Sequence, residues 1–91
     1  MYKSVKYIEE YPTYGEDDEI ESTKIIYRAG FIDISQIAGA MEYKNAYGDI
    51  VDNISQVILR SGAILVVDQG INTILRWKKE YDRNNGLLKN N

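Results

Sequence analysis

Hydrophobic and polar residues alternate along most of this chain, and the period changes once, near residue 70. Residues 3–9, KSVKYIE, put Val5 and Tyr7 on one face, the pattern of a half-buried strand. Residues 20–28 set Ile20, Ser22, Lys24, Ile26 and Arg28 against Glu21, Thr23, Ile25 and Tyr27. Their β-branched members favour extended backbone. The two segments read as a hairpin. Between them, YPTYGEDDE reads as a loop, because Pro12, Gly15 and four consecutive acids are poor strand residues.

Gly30 reads as a break. FIDIS, 31–35, is then a short separate strand with Ile32 and Ile34 on one face. AGAMEY, 38–43, fits a continuing strand or the start of a helix; Gly39 weakens both, and the strand is favoured. KNAYGDIVDN is a turn-rich connection. ISQVILR, 54–60, sets Ser55, Val57 and Leu59 against Ile54, Gln56, Ile58 and Arg60. Ser61-Gly62 reads as a two-residue hairpin turn, since glycine accepts the positive φ such turns need. AILVV, 63–67, is continuously apolar, as in a strand that is central in its sheet or covered on both faces.

Beyond this point the period becomes helical. Ile71, Ile74 and Leu75 recur at i, i+3 and i+4, with Tyr81 further on, which predicts an amphipathic helix of about 12–15 residues. Asp68 stands where an N-cap would, and Lys78, Lys79 and Arg83 suit the negative end of the helix dipole. Asn84-Asn85-Gly86 stops the pattern. Trp77 falls off the Ile71–Ile74–Leu75 stripe. The fold class is α+β: a small antiparallel sheet of five or six strands built from hairpins, with one C-terminal amphipathic helix packed on a face. One domain spans 1–91, divided into an acidic hairpin (1–29), a hairpin-plus-helix unit (30–83) and a loose tail (84–91).

Composition narrows the chemistry. The 91 residues allow one modest core, and 44% apolar content supports it. There is no Cys and no His, which removes disulfides, thiolate chemistry, the commonest general base and the commonest zinc ligand. No apolar run approaches the roughly 18–20 residues of a membrane span, and no secretory signal is visible, so a cytoplasmic location is expected.

The net charge of −3 is unevenly spread. Residues 1–23 hold seven acids against Lys3 and Lys6, while residues 24–91 hold nine basic and seven acidic side chains. No broad basic field is present, so nucleic acid is not an expected partner.

No glycine run fits a dinucleotide or phosphate loop. Glu16-Asp17-Asp18-Glu19 lacks the alternating ligands of a calcium loop. No catalytic group, metal or cofactor is assigned. The aromatic balance is more informative: eight Tyr, one Phe and one Trp. Tyrosine pairs a flat apolar ring with a hydroxyl, which suits interfaces and base stacking. Tyr43, Tyr47, Arg60, Asp68 and Trp77 are the candidate ligand- or partner-binding residues. They lie at the edges of the skeleton rather than in its apolar stripes.

From Phe31 onward the order resembles the small flagella-associated proteins of the FlbD/SwrD type, over roughly residues 31–82. Phe31, Ile32, Ile34 and Ile37 match the first strand and its following step. Ile58, Leu59, Gly62, Val66 and Val67 match the hairpin, and Ile71, Ile74, Leu75, Glu80 and Tyr81 the helix. The resemblance implies a small, non-enzymatic accessory protein. The expected function is a non-catalytic binding protein that self-associates. In one reading it is a phage or mobile-element factor that inhibits a host protein or sequesters a nucleotide-like ligand; in the other it is a motility-associated regulator.

Overall fold

The computed structural model describes residues 1–85. In chain order it runs β1 (Tyr2–Tyr14), β2 (Ile20–Asp33), a 3-10 turn (Ile34–Gln36), β3 (Ile37–Lys44), β4 (Ile50–Leu59), β5 (Ile64–Val67) and α1 (Ile71–Asn84). The five strands form one antiparallel sheet in the order β2-β1-β5-β4-β3, with α1 packed on it. The expected α+β architecture is therefore present. The tail expected from residue 84 lies, beyond Asn85, outside the described residues.

The first hairpin is longer than its sequence suggests. β1 continues through Tyr11–Tyr14, where a loop is expected, and β2 continues through Gly30 into Phe31–Asp33, where a break and a separate strand are expected. Each correction has a local cause. Asp68 N–H donates to Lys6 O at 3.0 Å, so even-numbered residues of β1 turn their backbone groups away from β2. Pro12 is one of these. Its missing N–H falls on the open side, and the β1–β2 ladder loses nothing.

At Gly30 the lack of a side chain is itself structural. A Cβ there would lie 2.7 Å from Cε2 of Tyr7. The Tyr7 ring lies over Gly30, and its hydroxyl donates to Phe31 O at 2.6 Å.

All three hairpin loops share one form. Gly15 N–H donates to Glu19 O, Asn45 N–H to Asp49 O and Leu59 N–H to Ala63 O, each closing a loop of three residues. The last loop residue is left-handed in each: Asp18 at φ 58°, Gly48 at 85° and Gly62 at 92°. This is a tight turn followed by a left-handed bulge residue. The turn at Ser61-Gly62 thus holds three residues, Arg60–Gly62, not two. The 44–53 connection shrinks to Asn45–Asp49, with β4 beginning at Ile50.

The core lies between α1 and one face of the sheet. Val5, Ile32, Ile34, Ile37, Val57, Val67 and Ile74 form it, with Tyr7, Ala40, Leu59, Trp77 and Tyr81 packed around them. Two expectations about the helix are corrected here. Leu75 is half exposed, while Trp77 packs on the core. The sheet meets α1 along Ile74, Trp77 and Tyr81, spaced three and four residues apart. Asp68 does not cap the helix. The N-cap is Gly70, without a side-chain bond, and the Asp68 carboxylate accepts from Lys6 N–H at 2.8 Å. It thereby continues the β1–β5 pairing past the end of β5. Ser55, fully buried, donates to Gln69 O at 2.6 Å and fixes the turn from β5 into α1.

Candidate functional site

The face of the sheet away from α1 has no covering element. Strand alternation assigns its residues: Tyr2, Ile8 and Glu10 of β1; Ile25, Tyr27 and Phe31 of β2; Met41 and Tyr43 of β3; Ile64 and Val66 of β5. Six of these side chains are large, apolar and about half exposed or more. Phe31 and Tyr2 are each 69% exposed and Ile64 58%, with Tyr27, Ile25 and Met41 beside them. So many exposed apolar side chains on one sheet face are unusual on a lone domain.

The sheet also curls toward this face. Tyr43 Oη donates to Glu10 Oε1 at 2.9 Å, although β3 and β1 lie three positions apart in the sheet. A large bulge, four residues of β4 against one of β3, lets β4 bend there. Glu42 pairs with Ser55 and Lys44 with Ile50, and Asn53, between them, is left-handed at φ 64°. The curl encloses a hollow of about 200 Å³ lined by Ile8, Glu10, Ile25, Tyr43, Tyr47 and Ile54. Burial of the Tyr43 phenol, then its bond to Glu10 and that residue's charge, push its pKa up to about 12. The phenol thus stays a donor further into the alkaline range than an ordinary tyrosine.

The five residues singled out from sequence separate into different places. Tyr43 and Tyr47 meet at the hollow, Tyr43 as the clamp and Tyr47 at an exposed loop whose N–H is held by Asn45 Oδ1 at 2.9 Å. Arg60 acts as a clip at the opposite end of β4. Its Nε donates to Ser35 O and its N–H to Gln36 O, both at 2.8 Å, tying the β4–β5 loop to the 3-10 turn. Asp68 is engaged with β1. Trp77 is half-buried, with the Lys3 ammonium 5.6 Å from its ring centre.

The residues that sequence reasoning passed over are Phe31, Tyr27 and Ile25. Their alternation was visible in the chain. Which face α1 would cover was not.

Among the described residues, no three acidic side chains converge to hold a metal ion. Asp33 serves the 3-10 turn. Its Oδ1 accepts from Ser35 Oγ at 2.8 Å and Ser35 N–H at 3.0 Å, and the hydroxyl bond holds its carboxyl below the usual range. The uncovered face presents flat rings, aliphatic side chains and a shallow hollow. No family model matches the chain, and neither a curated protein nor a solved structure does. No helix among the described residues is long and apolar enough to cross a membrane.

Proposed function

We propose that this protein is a non-catalytic binding module that self-associates through the uncovered face of its sheet. The observation that carries the reading is the row Ile25, Tyr27 and Phe31 on edge strand β2, continued by Tyr2, Ile64 and Met41. At their exposures these side chains leave roughly 700 Å² open, close to the ~800 Å² per partner of a standard interface. A second copy supplies an equal apolar face, and a two-fold contact needs no further surface.

Strand alternation places one base, Lys6, and three acids, Glu10, Glu21 and Asp33, on this face; Glu10 is bonded to Tyr43 and Asp33 to Ser35. The Tyr43–Tyr47 hollow at its margin takes a flat or aliphatic group. It supports recognition of a protein surface better than of a nucleotide, because no basic side chain lines it.

Phe31→Glu places a charge within the proposed contact and is expected to give monomers in sedimentation velocity. Leu75→Glu, on the helix side, is expected to leave association intact. If Leu75→Glu dissociates the protein and Phe31→Glu does not, the contact lies on the helix side and this reading fails.

A further inference from the structure

The sheet is split along its middle. β1 and β5 are neighbours, yet they pair at one position, Tyr7 with Val67. On the far side of that pair, Asp68 N–H and the Asp68 carboxylate bind Lys6 and close the junction. On the near side the strands part, leaving a cleft of about 500 Å³ lined by Tyr7, Ile8, Glu9, Arg28, Ile64 and Val66.

The alternation set by the Asp68–Lys6 bond fixes which backbone groups face this cleft. From β5 they belong to Ile64 and Val66, and from β1 to Ile8 and Glu10. The single bridge takes the N–H of Ile8 and the C=O of Val66. The C=O of Ile8, both groups of Glu10, the N–H of Val66 and both groups of Ile64 are left without a ladder partner among the described residues. Two unpaired strand edges thus face each other across a cleft inside one sheet. Unsatisfied backbone groups of this kind are the binding element of strand addition.

We infer that this cleft accepts one short extended segment of a partner protein, which pairs with β5 on one side and β1 on the other. Three features define the segment. Its length is limited, because Pro12 has no N–H to offer and pairing along β1 ends near Glu10. One side chain turns toward the curled face and enters the hollow bounded by Ile8, Ile25, Tyr43 and Ile54, whose volume fits a single aliphatic group. The next side chain turns to the helix side and meets Glu9 and Arg28, ion-paired at 2.9 Å, so a polar residue belongs there. The Tyr43–Glu10 bond holds the β1 edge in place from below. The inference is carried by backbone groups rather than by the exposed rings, although Ile25 and Ile64 belong to both surfaces.

Two measurements test it. In the free protein, amide exchange followed by NMR is expected to be at least tenfold faster at Glu10, Ile64 and Val66 than at Leu65 and Val67, whose N–H groups point to β4. Equal protection at all five would show the cleft closed by β1–β5 pairing and overturn the inference.

The second probe is a phage-displayed library of random seven-residue peptides. Selected peptides are expected to place an aliphatic next to a polar residue and to slow exchange at those same three amides. N-methylation of any central amide of the synthetic peptide is expected to weaken binding about tenfold, roughly one lost backbone hydrogen bond. Binding that ignores N-methylation would overturn the inference. So would protection of the three amides by rising protein concentration alone, which would assign the cleft to a second copy.

Discussion

Single contacts decide the most distinctive features of this molecule. Gly30 is the clearest case. The Tyr7 ring occupies the place of its Cβ and is anchored at its hydroxyl, so it has little freedom to withdraw. Gly30→Ala is expected to lower stability by about 1–3 kcal/mol, the range for overpacking. In urea unfolding, the cost should largely vanish when Tyr7 is already Ala, since the clash needs both side chains. Equal costs in both backgrounds would place the strain elsewhere.

Tyr43 gives a second test. Its neutral form is favoured in the folded state, so its contribution is full below the ordinary tyrosine range. It is lost as pH rises from about 10 toward about 12. Tyr43→Phe is expected to lower stability at neutral pH by about 1 kcal/mol and to flatten that alkaline decline. In sequence, Gly30 and Pro12 read as interruptions. Both judgements used local propensity, and both were overturned by a partner strand: a ring packed across β1 and β2, and an edge that needed no N–H. Such facts depend on register, which no single segment carries.

At the scale of elements the pattern was more legible. The alternation of Ser55, Val57 and Leu59 and the helical period after residue 70 placed their segments correctly. Ile32 and Ile34 are both buried, but Ile32 belongs to β2 and Ile34 to the 3-10 turn rather than to a strand of their own. The helix face was read less well. Leu75 fits the 3.6 period, but the sheet meets α1 along Ile74, Trp77 and Tyr81, and a stripe one residue aside cannot be told apart by period alone.

The three loops offer a prediction at this scale. Two use glycine at the left-handed position and the first uses Asp18. Asp18→Gly removes the steric cost of that conformation, partly offset by glycine's greater freedom when unfolded. A gain of about 0.5 kcal/mol in thermal or urea unfolding is expected. A loss would mean that the Asp18 side chain stabilises the acidic loop in a way the turn geometry does not require.

For the whole molecule, the arrangement is a curled sheet with one helix on one face and apolar side chains open on the other. A single expected helix packed on one face of the sheet implies that the other face is open, so that part was legible. The rings that populate the open face, Tyr27 and Phe31, were not separable from core residues until β1 and β2 were placed. The candidate residues Arg60, Asp68 and Trp77 drew attention as polar or aromatic groups at element ends. In the fold their side chains are engaged in holding elements together, as are many polar groups beside a small core.

Sedimentation equilibrium of the unmodified protein, across concentrations from about 1 to 100 µM, tests the proposed self-association most directly. A mass of twice the 10.5 kDa chain within that range is the expected result. A mass of 10.5 kDa at every concentration would contradict it.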